Sequence, residues 1–164
     1  MIKKTALLAN LVALSLILFL IESVLPLPLF APGAKLGIAQ VVTVFTLYYF
    51  SAKDAFLVLL TRTTLSAMFF GGPTIFLYSA AGGIFSLFIM TLLKKSGKFS
   101  LYGVSAAGGF CHNLAQLIVA YFILNSNAFF HYISVLCPVG IATGLVIGYV
   151  ASEVIRRMKL LKSA

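Results

Sequence analysis

The sequence predicts an all-α, polytopic membrane bundle of six spans, on three observations. Of 164 residues, 62% are hydrophobic and only 9% are charged, whereas a soluble domain carries roughly 25% charged residues. Too little polar surface exists to coat a globule in water. The apolar residues fall in runs near the ~20 residues that a helix needs to cross the hydrocarbon core. The charges, Arg62 and Glu22 apart, sit at or beyond the ends of those runs. The length leaves no room for a second, soluble unit, so residues 1–164 read as one integral membrane domain.

The six runs follow from hydropathy and helix breakers. The first covers about 5–25 and stops at Pro26 and Pro28. Lys3 and Lys4 ahead of it resemble a secretory leader, but no small-residue cleavage site closes it, so a retained helix is expected. The second, about 36–50, is short for a span and needs Lys35 and Lys53 to snorkel from its ends. The third, about 54–70, ends at Gly71, Gly72 and Pro73. The fourth covers about 74–93 and runs into the basic stretch Lys94 to Lys98. The fifth, about 101–124, closes at Asn125, Ser126 and Asn127, and the sixth, about 131–155, precedes a basic tail.

Charge placement tests the count. Six spans with the N-terminus inside put Lys3, Lys4, Lys53, Lys94, Lys95, Lys98, Arg156, Arg157, Lys159 and Lys162 on the cytoplasmic side. Only Lys35 falls in an outer loop, and Arg62 lies within a span. Basic residues favour the cytoplasmic face, and removing any one helix would mix them across both sides. Both termini are therefore expected in the cytoplasm, with the chain in the inner membrane.

The same placement explains the net charge of +9 as orientation in the bilayer. Nucleic-acid binding is not expected, because no basic stripe with interleaved aromatics lies outside the spans. Cys111 and Cys137 both fall inside apolar runs and read as small buried hydrophobes. No metal site is expected: His112 has no second ligand at suitable spacing.

Small residues recur at four-residue spacing: Gly140, Gly144 and Gly148 on the sixth run, Ala9 and Ala13 on the first, Ser79 and Gly83 on the fourth. Such ridges let helix backbones approach closely in lipid. Packing within the chain and docking of another membrane subunit both use them, and docking fits the first helix best.

Polar groups at mid-depth bear on function, because an ionisable residue inside a bilayer is costly. Arg62 lies near the middle of the third run, with Ser66 one turn on. It stays charged, so it must pair or line water. An ion pair with Glu22 and an anion-binding role are both open. His112, Asn113 and Gln116 share one broad face of the fifth helix. They suit either hydrogen bonds between helices or a ligand-binding face. Gln40 and Thr43 add polar groups to the second run. Lys35, Gln40, Arg62, His112, Asn113 and Gln116 are the candidate binding residues, forming an outward-opening pocket for a small molecule with an anionic or polar head. The Pro-rich stretch 26–34 above it suits either a lid or a bare connector.

Four stretches carry a resemblance to one family. They are Pro32 to Gly37, the Arg62 helix ending in Phe70 and Gly71, Tyr78 to Gly83 followed by Ser86 and Leu87, and Gly103 to Ser105 leading to His112, Asn113 and Gln116. Together, over about residues 10–155, they resemble the bacterial membrane family called heptaprenyl diphosphate synthase component I, or the Gx transporter family. That family is similar in size and layout to the S components of energy-coupling factor (ECF) transporters. The resemblance implies a substrate-binding subunit without a cofactor, partnered by a transmembrane coupling subunit and ATPases, with Ala9 and Ala13 at the docking face. Asn10 between them departs from the pattern. A non-catalytic role beside a soluble prenyl synthase is the alternative. Prenyl transfer itself needs aspartate clusters that hold Mg²⁺ against a diphosphate, and Glu22, Asp54 and Glu153 are scattered along the chain. No phosphate-binding loop is present, so ATP hydrolysis must come from another chain.

Overall fold

A computed structural model describes residues 2–24, 37–70, 72–124 and 129–163. Six helices account for nearly all of these residues: α1 (Ile2–Val24), α2 (Gln40–Tyr49), α3 (Ala52–Phe70), α4 (Gly72–Ser96), α5 (Leu101–Leu124) and α6 (Phe129–Ser163). Helices are what apolar sequence in lipid must form, since every backbone N–H and C=O then bonds within its own segment. Four of the six, α1, α4, α5 and α6, are long and apolar enough to cross a membrane. Large apolar side chains such as Ile17, Phe88, Val146 and Tyr149 stay exposed on their outer faces.

The other two differ for visible reasons. Helix α3 carries Lys53, Asp54 and Arg62, which lower its hydropathy. Helix α2 has only 10 residues, about 15 Å of rise, half the thickness of the hydrocarbon core. It starts at Gln40 rather than near Leu36 because Gly37 takes the left-handed conformation, with φ of 78°. Three tight bonds then open the helix: Gln40 N–H to Gly37 C=O at 2.7 Å, Val41 to Ile38 at 3.1 Å, and Val42 to Ala39 at 3.3 Å. Its far end is closed from outside, where Lys94 Nζ on α4 donates to the Leu47 carbonyl at 2.6 Å. Most of α2 is buried, so it serves as a central post rather than a lipid-facing span.

Side chains and glycines set the remaining ends. Ser51 caps α3: its hydroxyl accepts from the Asp54 N–H at 3.2 Å and donates to the Asp54 carboxylate at 2.5 Å. Lys4 on α1 reaches the other Asp54 oxygen at 2.8 Å. Pro73 sits in the first turn of α4, where its missing N–H costs nothing. Ser100 caps α5 through the Gly103 N–H at 3.2 Å.

The tightest seam joins α5 to α6. A Cβ on Gly140 would lie 2.6 Å from the Gly109 carbonyl oxygen, and one on Gly144 2.5 Å from that of Ser105. The two backbones touch, so the glycine ridge on α6 is spent on packing within the chain. The apolar core lies toward the end of the bundle where α3 begins and α4 ends, built on Val44, Leu47, Ala55, Leu59, Leu87, Met90, Val104 and Ile147. Helix α1 packs mainly on α3 and buries only Ser15, Phe19 and Glu22.

Candidate functional site

Five helices contribute to one polar cavity. Its described lining is Glu22 from α1, Gly37 and Ala39 ahead of α2, Gln40 and Thr43 from α2, and Leu59 and Arg62 from α3. Ser79, Gly83 and Ser86 from α4, and His112 and Gln116 from α5, complete it. The space is about 20 Å³, room for a water-sized group.

Helix geometry brings these side chains together. Gln40 and Thr43 are one turn apart, as are His112 and Gln116, so each pair faces one way. Ser79, Gly83 and Ser86 make a stripe of small residues on α4, which lets that backbone approach α3 and α5. At Gly82 a Cβ would meet His112 at 2.9 Å, and at Gly83 it would meet Leu59 at 2.5 Å.

One side of the cavity is fully bonded. Gln40 Nε2 donates to Ser86 Oγ at 2.6 Å, and Ser86 Oγ donates to the Gly108 carbonyl at 2.9 Å. This chain links α2, α4 and α5. Glu22 accepts from the Gly37 N–H at 2.5 Å and the Ile38 N–H at 3.1 Å, fastening the end of α1 to the backbone that enters α2.

The other side is not. Arg62 is 6% exposed, and its Nε has no hydrogen-bond partner. His112 is 7% exposed, and its Nδ1 makes no well-formed hydrogen bond, although the Gly82 backbone lies within looser reach. Arg62 is electrostatically coupled to Glu22 and to His112. A buried donor without a partner carries a desolvation cost of about 1–3 kcal/mol, more when charged. A ligand atom placed here would recover it.

Four of the six residues singled out in the sequence, Gln40, Arg62, His112 and Gln116, meet at this cavity. Asn113 does not line it: Nδ2 donates to the Leu136 carbonyl on α6 at 2.7 Å. Lys35 lies outside the described residues. Glu22, Ser79 and Ser86 join the lining without having been singled out for binding. Ser79 was visible only as part of a small-residue ridge with Gly83, which a packing seam also shows, and Glu22 only as a candidate ion-pair partner of Arg62.

A second, apolar groove of about 240 Å³ opens between α1, α2 and α6, lined by Leu7, Leu11, Leu14, Phe45, Phe50, Val154 and Met158 among others. Ala9 and Ala13 are exposed on a different face of α1 from the residues that line this groove.

Fold and cavity together define an α-helical membrane protein with a buried polar site at its centre. The chain belongs to the family described as heptaprenyl diphosphate synthase component I, whose sequence profile matches residues 11–154. Its fold is that of a solved protein described as the S component of a bacterial ECF transporter. That likeness has a TM-score of 0.76 at 21% identity and covers 99% of this chain and 98% of the other. No curated protein matches the chain.

Proposed function

We propose that this chain is the substrate-binding membrane subunit of a small-molecule transporter. It crosses the cytoplasmic membrane six times with both termini inside, takes its ligand from the outer side, and depends on other chains for energy. The observation that carries this reading is Arg62: a buried cation with an unpartnered Nε, facing a polar cavity at the centre of an S-component fold. A helix bundle with a purely structural role gains nothing from an unpaired buried donor. Gln40, Arg62, His112 and Gln116 bind the ligand. Asn113 holds α6 against α5 beside them, and Lys35 keeps its place in the proposal by its position just before Gly37.

The partners are a transmembrane coupling subunit and ATPases. Helix α1 offers the docking face: Ala9 and Ala13 are exposed, and their small side chains let another helix approach closely. The family's description favours a second reading, a non-catalytic membrane component beside a soluble prenyl synthase. Affinity purification from native membranes separates the two. Coupling and ATPase subunits should co-purify, and small-molecule mass spectrometry of the purified chain should find a ligand that Arg62→Ala loses. Recovery of a prenyl synthase alone, with no bound small molecule, would favour the second reading.

A further inference from the structure

The apolar groove between α1, α2 and α6 takes no part in the polar cavity. We propose that it seats one acyl chain of an anionic phospholipid, whose phosphate rests on the basic residues at the mouth of the groove.

Shape is the first reason. Helix α1 packs mainly on α3, and α6 packs on α5 and α2, so a gap stays open between α1 and α6 with α2 as its floor. Leu7, Leu11 and Leu14 line one wall at helical spacing, and Val154 and Met158, one turn apart, line the other. The leucines span about 10 Å along α1, less than the ~15 Å of hydrocarbon in one leaflet. The groove holds about 240 Å³. A helix is 10–12 Å across, so 10 Å of it takes up roughly 800 Å³. Such a helix could lie over the groove but not enter it, whereas a single acyl chain can.

Charge is the second. Lys3 and Lys4 precede Leu7 by one helical turn, so both continue the lining face of α1. Lys4 Nζ lies 6.0 Å from the centre of the Phe50 ring, which itself lines the groove. On α6, Arg157 stands next to Met158 with its side chain exposed. Cations outnumber carboxylates here. Asp54 answers Lys4, and Glu153 alone answers both Arg156 and Arg157. Lys3 is exposed and has no ion-pair partner among the described residues. A surplus of positive charge at the membrane surface attracts anionic headgroups. A neutral lipid or an apolar helix gains nothing from it.

Asn10 is the third. It stands among apolar side chains in the described lining and makes no hydrogen bond among the described residues. An amide facing hydrocarbon is costly unless a partner meets it. Asn10 lies about 10 Å along the helix from Lys3. A phospholipid carries ester carbonyls below its phosphate, and these are acceptors for the Asn10 NH₂ group. Ala9 and Ala13 are on another face of α1, so a lipid in the groove leaves the proposed docking face uncovered.

The test uses the full-length chain in mild detergent, titrated with dioleoyl phosphatidylglycerol or dioleoyl phosphatidylcholine and read by native mass spectrometry. The first phosphatidylglycerol should bind at least ~10-fold more tightly than phosphatidylcholine, at about 5-fold for each surplus charge. Lys3→Gln and Arg157→Gln alter exposed side chains. Each should weaken phosphatidylglycerol about 5-fold and leave phosphatidylcholine unchanged. Leu11→Trp fills the groove, and Asn10→Leu removes the amide, so each should weaken both lipids. Equal affinity for the two lipids, or a preference that survives both charge variants, would overturn the anionic headgroup. Tight phosphatidylglycerol binding by Leu11→Trp would place the chain elsewhere and overturn the seat. A benzophenone-bearing residue in place of Leu11, illuminated in native membranes, should attach to phospholipid, and attachment to another protein would overturn the proposal.

Discussion

The α5–α6 seam and helix α1 are both marked in the sequence by small residues four apart, and they behave differently. At the seam, Gly140 and Gly144 bring backbone onto backbone, and no side chain fits between. On α1, Ala9 and Ala13 face outward, and few of its side chains are buried. Polar contacts near its two ends fasten it: Lys4 to Asp54 at one and Glu22 to the Gly37 and Ile38 amides at the other. Identical spacing thus serves permanent packing in one place and an uncovered surface in the other. Residue type separates them only in part: three glycines permit contact that alanines would block.

This contrast predicts a ranking of substitutions by their effect on melting in detergent. Gly140→Leu should be the most damaging, at about 3 kcal/mol, since the added side chain must displace the Gly109 backbone or Asn113. A variant that melts like the parent would show that the seam can open. Asn113→Ala comes next, at about 1 kcal/mol, the usual worth of a hydrogen bond between membrane helices. It removes the bond to the Leu136 carbonyl and nothing from the cavity lining, so ligand capture should persist. Asp54→Asn should cost no more than about 1 kcal/mol, because its partner Lys4 is more than half exposed. Protease access at the start of α1 should nevertheless rise, since the tie there is cut. Ala9→Leu should leave melting unchanged within about 0.5 kcal/mol, as exposed positions do, and yet reduce recovery of the membrane partner. Recovery at the parental level would remove α1 as the docking face.

Much of the fold is legible in the sequence because hydropathy and charge placement are coarse signals that tertiary contacts do not overturn. The helix over 101–124 has the expected bounds. The start of α2 was harder to read. Nothing in the sequence marks Gly37, among many glycines, as one with positive φ, and without that turn the helix would begin near Leu36. The long α6 continues to Ser163 because its basic tail is still good helix-forming sequence, whereas hydropathy alone ends the run near 155.

At the site, Gln40, Arg62, His112 and Gln116 were visible as polar groups at compatible depths. The direction of Asn113 was not. His112 and Asn113 are adjacent on one helix and point about 100° apart, and only the position of α6 decides which of them faces the cavity. Ser86 was invisible for another reason. A serine in an apolar helix is unremarkable until Gln40 from a distant segment meets it.

The account turns on Arg62 serving a ligand rather than the fold. Melting and ligand capture, measured together on Arg62→Gln, test it most directly. A ligand-binding Arg62 predicts that the variant still folds, at a lower melting temperature if the buried Glu22 loses its counter-charge, and that the captured small molecule is lost. A fall in melting temperature with ligand capture intact would contradict it and make Arg62 a structural partner of Glu22.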